Sequence, residues 1–190
     1  MESCIGWMMP TVMYKRMRCF SIAALVIAVL ADAGSAELPE WTRQIRPDHP
    51  RLFFNAETWP RVRERALNTE RDWYEHIRGQ VDRRLDGPDP SAGASTQDLG
   101  VAAAQAAFVF LVTDDTRYRD LARKCLASSL SFYESCYRQR KAVDWYSTSR
   151  VHAVMAWDWL YNHLSDSERR EYLSRMVRVV DLVLEANPKI

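Results

Sequence analysis

From residue 56 onward, apolar residues recur every three or four positions, which is the spacing of a helix that buries one face or all of its surface. Asn55, a good capping residue, precedes the first of these stretches, and Pro188 follows the last one. The pattern predicts helices over residues 56–67, 70–85, 97–112, 116–137, 147–163 and 166–186. The chain is therefore predicted to be all-α.

The last four predicted helices alternate between two kinds of surface. Helices 97–112 and 147–163 are apolar on nearly every side, whereas helices 116–137 and 166–186 each carry one apolar stripe. A helix that is apolar all round is buried on both sides, and an amphipathic helix faces water. The alternation predicts helical hairpins in two layers, inner and outer, as in an α/α toroid or a hairpin solenoid. An ordinary helical bundle is the alternative.

The predicted hairpins repeat about every fifty residues, without a shared sequence motif of the tetratricopeptide kind. Three hairpins are too few to close a ring, and a stack of repeats ordinarily ends in a polar cap. Here Pro188 ends the last helix without such a cap. We therefore expect an incomplete α/α toroid, with residues 56–190 as the N-terminal part of a toroid domain in a longer protein.

Residues 1–36 have the features of a secretory signal peptide. A basic stretch, 15–18, precedes an apolar run, 19–30, that is too short to span a bilayer comfortably. The small residues 34–36 suit a signal peptidase that cleaves before Glu37. We expect a secreted or periplasmic protein with no membrane attachment after cleavage, and a membrane anchor is the alternative.

The chain has alternative predicted translation starts, and an extended segment is predicted after the cleavage site. Residues 1–12 have no place in a standard signal peptide, so Met13 and Met17 are alternative start sites. After cleavage, residues 37–55 are expected to form an extended N-terminal segment, because prolines recur along it.

Composition supports one helical domain and excludes two classes of partner. The chain has 190 residues, 47% of them hydrophobic, and only six glycines, which is ordinary for a globular protein and unfavourable for an all-β domain. Its net charge of +1 at pH 7 gives no basis for a nucleic-acid or membrane-surface partner. Composition does not indicate an oligomeric state.

Cysteine and histidine spacing points away from disulfide and metal chemistry. Cys4 and Cys19 lie in the predicted signal peptide, which leaves Cys125 and Cys136 in the mature chain. On one helix these two lie roughly 16 Å apart along the axis, so two buried free thiols are expected. Because no HxxxH, HExxH or CxxC spacing, phosphate-binding glycine loop or GxSxG elbow occurs, the sequence predicts no metal and no cofactor.

Four residues around the start of the fifth predicted helix form a candidate substrate site: Trp145, Tyr146, Arg150 and His152. They lie at the start of an inner helix, where an α/α toroid opens its cleft. Flat aromatic rings stack on sugar rings, and an arginine binds a carboxylate or sulfate through two hydrogen bonds. This site predicts an acidic polysaccharide as the partner.

Several of these residues also have structural interpretations. Arg150 is expected either to face the cleft or to pair internally with Asp158, and His152 either to titrate or to be a hydrogen-bonded core histidine. Trp157 and Trp159, further along the same helix, are predicted to be core. Asp144 and Asp158 are the candidate carboxylates of an inverting glycosidase, although fourteen residues of separation says little about their distance in space.

Two stretches of the chain carry a family resemblance. The first is His49-Pro-Arg-Leu-Phe-Phe-Asn-Ala-Glu57 with a following Trp59-Pro60. The second is Ala153-Val-Met-Ala-Trp-Asp-Trp-Leu-Tyr161, followed by Leu164-Ser-Asp-Ser-Glu168. Both are similar to stretches of heparinase II/III-type polysaccharide lyases, and the resemblance spans about residues 47–185. Similar aromatic–Asp–Trp motifs occur in neighbouring α/α-toroid lyase families, including alginate lyases.

The resemblance implies an N-terminal α/α toroid, then a β-sandwich domain, and cleavage of acidic polysaccharide by β-elimination. That chemistry neutralises the uronate carboxylate, removes the adjacent proton with a base and protonates the leaving oxygen with an acid. The family uses Asn or Glu with His and Tyr on later helices and at the sandwich interface. No residue before Ile190 matches those positions, so the resemblance transfers no catalytic residue and no metal.

We therefore expect the N-terminal portion of a secreted polysaccharide lyase that acts on a uronate-containing polysaccharide of the heparin, heparan sulfate or alginate kind. This portion is expected to be inactive alone, and the β-sandwich is expected to lie outside it. One alternative is a non-catalytic helical carbohydrate-binding or scaffold protein. Another is an inverting α/α-toroid glycoside hydrolase.

Overall fold

The computed structural model describes residues 40–90, 97–141, 143 and 148–186, and the chain divides into two compact units, residues 1–45 and residues 46–190. In the first unit Glu40–Gln44 form a 3₁₀ helix, closed by the Ile45 N–H that donates to the Thr42 carbonyl at 3.1 Å. This local turn replaces the extended chain that was expected there. The predicted signal peptide, 1–36, lies outside the described residues.

The second unit is all-α over its described residues, which contain no β-strand. In chain order its helices are α1 (Trp59–Leu67), α2 (Arg71–Leu85), α3 (Leu99–Thr113), α4 (Thr116–Arg138), α5 (Ser149–Leu160) and α6 (Asp166–Ala186). Each helix predicted from the apolar pattern is present, and α6 has its predicted bounds. None of the described helices is both long and apolar enough to cross a membrane.

The start of α1 differs from the prediction for a local reason. Asn55 Oδ1 accepts the backbone N–H groups of Glu57 and Thr58, each at 3.0 Å. These are the bonds by which an asparagine caps the first turn of a helix, as predicted for Asn55. Residues 56–58 form a turn after this cap, and regular α-helix begins at Trp59 instead of residue 56.

The connection between α5 and α6 is tight. Regular α-helix ends at Leu160, and Tyr161–His163 continue as a 3₁₀ turn where α-helix was predicted. A capping box then starts α6, as the sequence predicted. Ser165 Oγ accepts the Glu168 N–H at 3.3 Å, and Glu168 Oε2 accepts the Ser165 N–H at 2.8 Å.

Helix α3 forms the centre of the core. Its face of small side chains leaves Ala103, Ala106, Ala107 and Val109 with no exposed surface. Small side chains let neighbouring helices approach closely, and α3 packs against α2, α4 and α5. Helix α4 also packs against α6, so that in the stack α5 lies next to α3 and α6 lies next to α4.

Helices α3 and α5 touch where Gly100 meets Ser149. The Gly100 N–H donates to Ser149 Oγ at 2.9 Å, and a Cβ on Gly100 would lie 2.0 Å from the Ser149 carbonyl oxygen. Ser149 is itself fully buried. Only glycine allows this backbone approach.

Charged residues join α4 to α6. The Arg123 guanidinium donates to Glu168, and Arg175 Nε donates to Glu134 Oε1 at 3.0 Å. Arg175 also donates to the Ala127 carbonyl at 3.3 Å. These contacts fix which residues of α4 face α6.

One face of α5 and α6 remains open to solvent. Its large apolar side chains are 40–59% exposed: Val151, Val154, Leu173, Val177, Val180 and Leu184. The prediction that the fifth helix is buried on every side is therefore wrong at Val151 and Val154. The reason is that no described element packs on this side of the stack.

The two cysteines of the helical unit are buried free thiols, as their spacing predicted. Burial raises the pKa of the Cys125 thiol from its ordinary 9.0 to about 11, because the thiolate would lose its hydration in an apolar core. A thiol in this environment is inert.

We expect iodoacetamide at pH 8 to leave Cys125 unmodified in the folded protein. The raised pKa alone lowers the thiolate fraction roughly a hundredfold, and burial also blocks access of the reagent. Peptide mass mapping after a timed reaction measures the effect, with urea-unfolded protein as the control. Equal modification rates in the two states would contradict the packing of Cys125 on α4.

Candidate functional site

The structure describes two of the four candidate substrate residues, Arg150 and His152, which lie in the first turn of α5. Trp145 and Tyr146 lie outside the described residues, as does Asp144. The described residues therefore form one edge of the candidate site.

Arg150 is half-buried against two tyrosines of α4. Its Nη1 donates to Tyr137 Oη at 2.5 Å, and its guanidinium lies 5.5 Å from the centroid of the Tyr133 ring. Cation–π contact and a hydrogen bond together fix the direction of this charge. The alternative of an internal ion pair with Asp158 is wrong, because the Asp158 oxygens bond other groups.

His152 is half-buried and bonded to its own helix. Its Nδ1 lies 2.8 Å from the Thr148 carbonyl oxygen, which accepts but does not donate. Nδ1 therefore carries the proton, and in the neutral ring Nε2 is the acceptor. The expectation of a hydrogen bond is confirmed, but His152 is not in the core.

A buried polar network lies at the other end of α5 and is organised by Asp158, which is 1% exposed. Asp158 Oδ1 accepts from His49 Nδ1 at 2.6 Å. Asp158 Oδ2 accepts the backbone N–H groups of Arg51 and Leu52 at 2.8 and 2.9 Å. Both carboxylate oxygens are thus bonded, and a buried carboxylate is stable only when it is bonded in this way.

Two further hydrogen bonds complete the connection between α5 and the segment that precedes α1. Trp159 Nε1 donates to the Leu52 carbonyl at 3.0 Å, and Asn162 Nδ2 donates to the His49 carbonyl at 2.7 Å. We call these residues the His49–Asp158 network: His49, Arg51, Leu52, Asp158, Trp159 and Asn162. They hold residues 49–52 on the end of α5.

Aromatic rings enclose the His49 side chain. It stacks on Tyr161 with ring centroids 3.7 Å apart and an angle of 12° between the planes, and it meets the edge of Trp157 at 5.5 Å. The Arg169 guanidinium lies 4.5 Å from the Tyr161 centroid. Trp157 and Trp159 are only 7% and 8% exposed, which confirms the prediction that both are core.

The geometry of Asp158 bears on the glycosidase interpretation. A glycosidase carboxylate must reach either the glycosidic oxygen or a water beside the sugar ring. Asp158 faces neither substrate nor solvent, because its two oxygens bond His49, Arg51 and Leu52. It is therefore not placed to act as one of the two carboxylates of an inverting hydrolase.

The pairing of His49 with Asp158 was not predicted from the sequence, although both residues lie in the two stretches that carry the family resemblance. The signal was available. Asp158 is a charged residue in a helix that is otherwise apolar toward its C-terminal end, and a buried charge requires partners. What the sequence did not reveal was which partner, since 109 residues separate the two.

Comparisons with models of protein families, with curated proteins and with solved structures find no match for this chain. The family resemblance rests on the two quoted motifs. Across the described residues, no three His, Cys, Asp or Glu side chains are grouped closely enough to hold a metal ion.

Proposed function

We propose that this chain is the N-terminal part of a secreted or periplasmic lyase that cleaves a uronate-containing polysaccharide by β-elimination. Its hairpins begin an α/α toroid, and the rest of the toroid and a β-sandwich belong to the remainder of the parent protein. This part supplies scaffold and one wall of the substrate cleft. The catalytic residues lie further along the parent chain.

The observation that carries the proposal is that the two lyase-like motifs meet. His49 and the N–H groups of Arg51 and Leu52, from the first motif, bond Asp158 of the second. Trp159 of the second motif bonds back to Leu52. The two stretches thus join through residues that carry the resemblance, and this contact is what supports the proposal.

The packing of the helices also supports the toroid. Helix α3 is buried and packs on α5, whereas the amphipathic α4 packs on α6. A stack of hairpins with α3 and α5 in the inner layer has this arrangement. The first turn of α5 then lies at the rim of the inner layer.

Arg150 and His152 supply the chemistry of the substrate wall. Tyr137 and Tyr133 hold the Arg150 guanidinium, and a uronate carboxylate or a sulfate suits such a fixed positive charge. Nε2 of His152 accepts a hydrogen bond from a sugar hydroxyl. We assign Trp145 and Tyr146 to stacking against the sugar rings.

Elimination activity of the full-length parent tests this proposal. The unsaturated uronate product absorbs in the ultraviolet, so heparin, heparan sulfate and alginate are each offered while absorbance is followed. We expect the parent to form this product from at least one of them. The 190-residue chain, assayed beside it, is expected to form none.

Three other outcomes would count against the proposal in different ways. New reducing ends without the unsaturated product would identify a hydrolase. Retention on an immobilised polysaccharide without turnover by the parent would identify a binding scaffold. Turnover by the 190-residue chain would overturn the assignment of the catalytic residues to the remainder of the parent.

A further inference from the structure

The exposed apolar side chains of α6 form a regular seam. Leu173, Val177, Val180 and Leu184 are each about half exposed and are spaced by four, three and four residues. This is the spacing with which one helix presents a narrow apolar line to another helix. Charged residues border one side of the seam, including Arg170 and Asp181. On its other side the seam continues into an apolar groove, which Val180 and Leu184 line together with Met176.

The structure contains a repeat that explains where this seam lies. Helices α3 and α5 begin at Leu99 and Ser149, and helices α4 and α6 begin at Thr116 and Asp166. Each helix of the second pair thus begins fifty residues after its counterpart in the first. A position on α4 can therefore be compared directly with the position fifty residues later on α6.

The positions of α4 that receive α6 are known from their contacts. Arg123 bonds Glu168, Arg175 bonds both Glu134 and the Ala127 carbonyl, and Leu130 lines a groove with Met176 and Val179. The positions of α4 that receive α6 are therefore Arg123, Ala127, Leu130 and Glu134. Fifty residues later stand the four seam residues: Leu173, Val177, Val180 and Leu184. The seam occupies the positions with which an outer helix receives the next one.

Helix α5 extends this open face. Val151 and Val154 are exposed beside the seam, and Val154 borders a groove of about 260 Å³ that α4, α5 and α6 line together. Apart from Tyr133 and Arg150, the side chains that line the groove are apolar. Both helices of the last hairpin are therefore open on the same side, and a surface made by two helices suits a pair of helices better than a single one.

We infer that the α5–α6 face is the docking surface for a further helical hairpin of the parent polypeptide, one that follows residue 186. Continuity with the interface between the first two hairpins supports this occupant. The inference rests on the proposed function, in which this chain is part of a longer toroid. It adds the chemistry of the contact: the next outer helix presents apolar side chains to α6, where α4 and α6 use arginine–carboxylate pairs.

Paired cysteine variants test the inference. Val177→Cys probes the seam, and Arg178→Cys is the matched control, because the two native residues are 52% and 47% exposed in this chain. Both variants are made in the 190-residue chain and in the full-length parent. Each is treated with a maleimide and quantified by peptide mass mapping, which separates the new thiol from the native cysteines.

In the 190-residue chain we expect the two thiols to react at similar rates. In the parent we expect at least a tenfold protection of Val177→Cys and little change at Arg178→Cys. Equal labelling of both thiols in the parent would overturn the inference. Protection in the 190-residue chain that disappears on dilution would overturn it too, since a second copy would then cover the seam.

The outcomes separate this inference from the proposed function. A parent that performs elimination but leaves Val177→Cys unprotected would support the proposed function and contradict the docking surface. A parent that protects Val177→Cys but forms no unsaturated product would support the docking surface and contradict the proposed function. A gene product that stops at Ile190 would overturn both, because the proposed function also requires a longer parent.

Discussion

Replacing Asp158 with alanine is expected to lower the free energy of unfolding by about 3–5 kcal/mol, because it leaves buried groups without their partner. The variant removes the acceptor for His49 Nδ1 and for the N–H groups of Arg51 and Leu52. Urea unfolding followed by circular dichroism measures the loss. Asp158→Asn, which keeps one acceptor oxygen, is expected to fall between the wild-type protein and Asp158→Ala.

The matched control for this result is Asp181→Ala. Asp181 is an exposed aspartate of α6, and its removal is expected to change the free energy of unfolding by no more than about 0.5 kcal/mol. If Asp158→Ala and Asp181→Ala unfold at the same urea concentration, the His49–Asp158 network does not stabilise the fold. Should Asp158→Ala fail to fold, the smaller change in Asp158→Asn still ranks the two sites.

Gly100→Ala is expected to destabilise the protein, although alanine is the better helix former. A Cβ at this position would lie 2.0 Å from the Ser149 carbonyl oxygen, so α3 and α5 must move apart. The expected net loss is about 1–3 kcal/mol, the usual cost of forcing extra atoms into a packed core. Thermal and urea unfolding of purified variants measure it.

Gly79→Ala provides the opposite case in the same fold. Gly79 lies in α2, and the nearest atom to an added Cβ is the Arg83 Nη1 at 3.7 Å, an ordinary contact. Alanine there is expected to raise the free energy of unfolding by about 0.5–1 kcal/mol, through its higher helix propensity. Changes of the same sign and size in both variants would show that helix propensity, and not the Gly100–Ser149 approach, decides the result.

The helices themselves were predictable because their causes are local. The spacing of apolar residues predicted all of the helices, and the Ser165–Glu168 capping box predicted where α6 begins. Asn55 caps the segment before α1 as predicted, but regular α-helix begins at Trp59, three residues later than the apolar periodicity indicated. Helix type was thus easier to predict than helix ends.

The candidate site was less predictable because its contacts are not local. The first turn of α5 was identified from residue types, but no pattern in the sequence indicates that Arg150 packs on Tyr133 and Tyr137. Nor does the sequence indicate that Asp158 is hydrogen-bonded to His49. Partners that lie many residues away are set by the tertiary packing, which periodicity does not contain. The exposure of Val151 and Val154 has the same origin, since it depends on which neighbour is present.

The His49–Asp158 network has a consequence for how the protein unfolds. Stacks of hairpins contact mainly their nearest neighbours, so they tend to lose structure one hairpin at a time from an end. Here a bond between residues 109 positions apart closes a loop that contains the whole of α1, α2, α3 and α4. The first hairpin cannot peel away freely while that loop is closed. Hydrogen exchange should accordingly report one cooperative unit from residue 49 to the end of α5, in place of a gradient of stability along the stack.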